Sequence, residues 1–172
     1  CSMHKRLLYL LFLFLVQITF AQSNLSWQGY FSYTQIKAVS ESPKTIYAAS
    51  ENALFSKDSS TNILKTTTTI DGLSGQDITS IYYSQNFNKT YIGHANGLML
   101  IINGSDGEIK IVPGIRDQNG ITPTKKKINH FLEHENKLYI STDFGLVQFN
   151  LETQLFGDTY LLGNSGQELL VY

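Results

Sequence analysis

One motif occurs three times and limits what this chain can fold into. It reads Ile46-Tyr-Ala-Ala-Ser-Glu-Asn-Ala-Leu-Phe55, then Thr90-Tyr-Ile-Gly-His-Ala-Asn-Gly-Leu-Met99, then Leu138-Tyr-Ile-Ser-Thr-Asp-Phe-Gly-Leu-Val147. Each copy has a Tyr (Tyr47, Tyr91, Tyr139), a small residue two places on (Ala49, Gly93, Ser141), a turn, and then Leu. The tyrosines stand 44 and 48 residues apart. Strand-rich repeats of about 40 to 50 residues are the period of a four-stranded propeller blade. One such unit cannot bury its own faces, so stacked neighbours must build the core. The expected fold is all-β: a β-propeller with about three four-stranded blades, near residues 34–68, 76–112 and 127–160.

Each unit opens on a short, partly alternating segment that reads as a strand, at Ile36, Ile78 and Ile128. A polar turn, the Tyr strand and the Leu strand follow. A fourth strand is expected over 62–68, 108–112 and 155–160. None of the three prolines falls inside these strands. Asn96-Gly97 between apolar runs signals a hairpin in which both residues accept positive φ. Phe144-Gly145 holds the same place in the third unit. In the first, Ala53 replaces Gly, and Asn52 is expected to be left-handed. The small residues after each Tyr imply close backbone approach. Residues 167–172 read as the start of a further blade. A ring needs at least about four blades to close, so 22–172 reads as a partial propeller, the N-terminal fragment of a longer protein. The segment 25–33, with Trp27, is expected to supply a ring-closing outer strand.

Residues 1–21 read as a secretory signal peptide with two residues upstream of Met3: a basic start, an apolar run from Leu7 to Phe20, and small residues ahead of Gln22. The run is about 14 residues long, short of the roughly 20 of a spanning helix, so no transmembrane segment is expected in the mature chain. Export follows from this reading. Cys1 is the single cysteine, so the mature chain holds together without disulfides. A formal net charge of −1 gives no reason to expect nucleic acid as a partner. Aromatics at 12%, mostly Tyr and Phe, suit half-buried sheet faces.

No catalytic constellation emerges, and neither enzyme activity nor a cofactor or metal is expected. Glu133-His-Glu135 lacks the second His of a zinc-binding helix, and Gly72-Leu-Ser-Gly75 lacks the Lys of a phosphate loop. Paired carboxylates of glycosidase type cannot be assigned. Four antiparallel strands per blade put the inter-blade connections on the same face as the turns between second and third strands. That face collects Asp71, Gln76, Asp77, Phe144 and the ligand candidates His94, Asn96, Arg116, Lys125, Lys126, Lys127 and Asp143, on loops of the kind that carry binding residues. The lysine run suits an anionic sugar or phosphate. Asp143 is expected to bond nearby backbone in its turn.

The segment Thr69-Ile-Asp-Gly-Leu-Ser-Gly-Gln-Asp-Ile-Thr-Ser-Ile-Tyr-Tyr83, followed by Thr90-Tyr-Ile-Gly-His-Ala-Asn-Gly-Leu98, resembles the two-component regulator propeller repeat. That repeat is shared by the periplasmic sensor halves of hybrid histidine kinases and by the PorZ family of the type IX secretion system in Bacteroidetes. Trp27-Gln-Gly-Tyr-Phe-Ser-Tyr33, Lys127-Ile-Asn129 and Asp158-Thr-Tyr160 favour the PorZ family, as does Tyr where sensors usually carry Trp. The resemblance implies a non-enzymatic scaffold at the cell surface and outer membrane. Its implied partners are the sortase and other type IX components, and its implied role is to help attach exported cargo to anionic lipopolysaccharide. The alternative it leaves is a periplasmic, glycan-sensing ectodomain.

Overall fold

The computed structural model describes residues 35–74 and 77–161. The signal peptide expected at 1–21, the Trp27 segment, Gln76 and the further strand expected at 167–172 lie outside the described residues. Among those described, twelve strands form three antiparallel four-stranded sheets, each in simple chain order. The first holds β1 (Ile36–Glu41), β2 (Thr45–Ser50), β3 (Leu54–Asp58) and β4 (Leu64–Thr67). The second holds β5 (Ile78–Ser84), β6 (Lys89–His94), β7 (Met99–Asn103) and β8 (Ile109–Val112). The third holds β9 (Ile128–His134), β10 (Lys137–Thr142), β11 (Gly145–Asn150) and β12 (Phe156–Leu161). Two short 3-10 turns, Thr69–Asp71 and Pro123–Lys125, lie in the inter-blade connections.

The opening strands β1, β5 and β9 lie side by side, so each blade starts on the inside. Side chains rather than a ladder join them. The Tyr83 amide donates to Ser40 Oγ at 2.9 Å, and Thr79 Oγ1 donates to the Ile128 carbonyl at 2.5 Å. Two apolar clusters fill the spaces between blades. Ala49, Leu54, Ile78, Ile92 and Leu100 close the first, while Tyr91, Ile128, Phe131, Ile140 and Phe149 close the second. Blade two is therefore covered on both faces, and five of the six β6 residues are buried. β10 alternates buried and partly exposed residues, as a strand covered on one face does. The repeated Tyr reaches the next blade's inner strand: Tyr47 stacks on Tyr83 with centroids 5.8 Å apart, and Tyr91 meets Phe131 at 6.5 Å. Gly93 is required because a Cβ there would collide with Ser80 Oγ and the Ile128 side chain.

The turns differ from the expected hairpins. Gly97 has φ +83° but Asn96 is not left-handed, and the His94 amide bonds the Leu98 carbonyl at 3.0 Å. This is a three-residue loop closed by one left-handed Gly, not a two-residue turn with two positive φ values. In blade three, Thr142 pairs with Gly145, so the turn residues are Asp143-Phe144, one place earlier than read. Asn52 also has negative φ. Side-chain hydroxyls stabilise these two turns instead: Ser50 Oγ donates to the Ala53 carbonyl at 3.3 Å and Thr142 Oγ1 to the Gly145 carbonyl at 2.8 Å.

Candidate functional site

The connections do sit against the hairpin turns. The Ile78 amide bonds the Glu51 carbonyl at 2.8 Å, the Ala95 amide bonds the Asp77 carbonyl at 2.9 Å, and the Asp143 amide bonds the Lys127 carbonyl at 3.3 Å. A Cβ on Gly97 would come within 2.9 Å of the Lys126 carbonyl, so the third blade's lead-in packs directly on the second blade's turn.

Most polar groups nominated on this face are engaged in building it. His94 occupies the repeat position of Ser50 and Thr142, three residues after the Tyr, and all three are buried. Each closes its turn. The His94 Nδ1–H donates to the Leu98 carbonyl at 3.0 Å; an acceptor there fixes the proton on Nδ1 of the neutral ring. Nε2 is buried without a partner. Burial holds the ring below its ordinary pKa, against the Leu98 carbonyl and Asp77, which favour the charged form.

Asn96 Oδ1 accepts from the Leu98 amide at 3.0 Å. Asp71 Oδ2 accepts from the Thr68 amide at 2.8 Å while the Ile70 amide bonds Thr68 Oγ1, a capping box that starts the 3-10 turn. Asp143 Oδ1 accepts from Asn129 Nδ2 at 2.6 Å, a side-chain partner rather than the backbone one expected. Arg116 forms a fork with Asp117 at 2.8 and 3.1 Å. The lysine run divides. Lys126 is 6% exposed and its ammonium donates to the Arg116 and Gln118 carbonyls at 2.6 and 2.7 Å. Lys125 is the last residue of the second 3-10 turn and is half-buried, and Lys127 is exposed. The fold thus brings Arg116, Lys125, Lys126 and Lys127 onto one connection. Lys126 acts inside it.

The other ends of the inner strands carry a feature the sequence reading missed. A cavity of about 690 Å³ opens there, lined by residues of all three blades, among them Glu41, Tyr82, Tyr83, Asn86, Glu133 and Glu135. The one available signal was that inner-strand ends and first turns of successive repeats carry carboxylates and Tyr at related positions. Among the described residues, no three His, Cys, Asp or Glu side chains converge as a metal site, and no helix is long and apolar enough to cross a membrane.

No curated protein sequence matches the chain. Solved structures do. PorZ of Porphyromonas gingivalis, a surface component of its type IX secretion system, superposes with a TM-score of 0.67 at 24% identity over 76% of this chain. The extracellular domain assigned to the hybrid two-component system BT4673 of B. thetaiotaomicron gives 0.64 at 21% over 80%. The computationally designed protein Ika4 gives 0.59 at 12% over 82% of this chain and 80% of its own. These similarities establish a propeller fold. The chain spans 17% of the PorZ structure and 18% of the BT4673 structure. At the level of sequence, the family model described as "TSS9, PorZ, N-terminal beta-propeller domain" matches residues 46–172, most of the chain. The chain belongs to the PorZ N-terminal β-propeller family.

Proposed function

We propose that this chain is a non-enzymatic binding module of the type IX secretion system. In this reading it is exported and held at the cell surface, where it supports sortase-mediated attachment of cargo to anionic lipopolysaccharide. The family match over 46–172 is the observation that carries the reading. The first 21 residues act as the export signal, and 22–172 form part of a larger propeller. The loop face is the surface offered to the anionic glycan, with Lys127, Lys125 and Arg116 as contacts and His94, Asn96, Lys126 and Asp143 holding their loops in place.

Deleting the gene tests the reading in the organism that carries it. Exported cargo is expected to appear unattached in the medium. Cargo that stays anchored to the surface would refute the proposal, and a lost transcriptional response to a glycan would replace it with the sensor reading. On the purified full-length protein, Lys125→Gln/Lys127→Gln is expected to weaken lipopolysaccharide binding and flatten its salt dependence. Unchanged binding would remove both lysines from the site.

A further inference from the structure

Asn followed by Gly carries a reaction of its own. The Gly nitrogen attacks the Asn side-chain carbon, a new C–N bond closes a five-membered succinimide, and the side-chain nitrogen leaves as ammonia. Water then adds to either carbonyl of the ring, giving aspartate or isoaspartate. Water is the only other reactant. Gly permits the attack because no Cβ shields its nitrogen. In a folded chain both partners must also be loose: the side-chain amide has to turn, and the Gly N–H has to leave any acceptor.

Three Asn-Gly pairs occur in the chain, Asn96-Gly97, Asn103-Gly104 and Asn119-Gly120. The fold ties down two of them. Asn96 Oδ1 accepts from the Leu98 amide at 3.0 Å, and the Gly97 amide donates to the His94 carbonyl at 3.1 Å. Asn103 Nδ2 donates to Asp106 at 3.1 Å, its Oδ1 accepts from the Ser105 amide at 3.2 Å, and the Gly104 amide donates to the Asn88 carbonyl at 2.8 Å. The third pair is different. Asn119 and Gly120 are both exposed, and neither takes part in a hydrogen bond among the described residues. A Cβ on Gly120 would meet no atom within 4 Å, so water reaches the pair freely.

We propose that Asn119 is a self-modifying site: the fold keeps the other two Asn-Gly pairs inert and leaves this one to convert to aspartate or isoaspartate. The position gives the conversion an effect. The connection 113–127 carries four basic residues and one acid, a net charge of +3, and the new carboxylate lowers it to +2. Isoaspartate also lengthens the backbone by one carbon directly after Gln118, whose carbonyl accepts from the buried Lys126 ammonium at 2.7 Å.

The test holds the full-length protein in mildly alkaline buffer made with heavy-oxygen water, then digests it in ordinary water for mass spectrometry. Each conversion during the incubation takes up the label. Labelling at Asn119 is expected to be about tenfold or more faster than at Asn96 or Asn103, whose hydrogen bonds must open first. In urea the three pairs are expected to convert at similar rates. Asn119→Gln, which would have to close a larger ring, is expected to take up no label at that position. Equal rates at the three pairs in the folded protein, faster labelling at Asn96 or Asn103, or an Asn119 rate far below its rate in urea would each overturn the proposal. The effect on binding rests on the proposed function. Asn119→Asp is expected to bind lipopolysaccharide several-fold more weakly than Asn119→Gln, with the gap closing as salt rises. Equal affinity of the two variants would overturn that effect, while labelling at Asn119 still decides the chemistry. A wild-type protein that binds no lipopolysaccharide would count against the proposed function instead.

Discussion

Tyr91 buries a hydroxyl that no protein group meets, on a ring packed against Phe131 and Phe149 with centroids 6.5 and 6.4 Å away. Leaving such a group unpaired costs about 1 to 3 kcal/mol. Tyr91→Phe, which keeps the ring, is therefore expected to raise the free energy of unfolding by about 1 kcal/mol, read from urea titrations of the free protein. His94 gives a second residue-level prediction. Its folded pKa lies below the ordinary 6.5, so between the two values the unfolded chain binds more protons. The stability it contributes is complete above about pH 6.5 and falls as pH drops from there toward the folded value, at up to about 1.4 kcal/mol per unit. His94→Thr, which copies the donor found at Thr142, is expected to lose that fall between pH 7.5 and 5.5. A slope equal to wild type would mean that another group titrates.

At the scale of elements, the connection 113–127 depends on one buried ammonium. Lys126→Met leaves the Arg116 and Gln118 carbonyls without their donor. A loss of about 1 to 3 kcal/mol is expected, with faster amide exchange across residues 115–118, while exposed Lys127→Gln stays near zero. Sequence alone could not separate these two neighbours, because a charge run carries no sign of which member turns inward. The strands themselves were legible. Alternation, the Tyr-to-Leu motif and the polar turns all depend on nearest neighbours in the chain, and Gly93 reports its close approach through its own lack of a side chain. Turn geometry was less legible: Asn96-Gly97 suits more than one hairpin, and the His94–Leu98 bond decides between them. The Glu41–Tyr82–Glu133 cavity left only the related repeat positions of its carboxylates and Tyr in the sequence, since it forms only when residues some 40 to 50 apart are packed together.

For the molecule as a whole, stability resides between the blades. Phe131 and Phe149 fill the space between blades two and three, and Phe131→Ala is expected to cost about 3 to 5 kcal/mol in chemical denaturation. The outward faces are a different matter. Val39 and Ile46 on blade one and Leu132 and Leu161 on blade three are largely exposed. A recombinant piece of residues 35–161 is expected to associate as its concentration rises, through these faces and the unpaired strand edges, which light scattering would detect. A monodisperse monomer across the micromolar range would contradict that. Because every sheet pairs only strands consecutive in the chain, the hydroxyl contacts between inner strands also have a mechanical consequence. Tension applied along the chain meets no strand that crosses from one blade to another within 35–161, so each blade can peel away separately. Stretching the protein between its termini should then give discrete lengthening steps of about 150 Å, the contour of a repeat of some 45 residues, so that a pull at the surface would be absorbed one blade at a time.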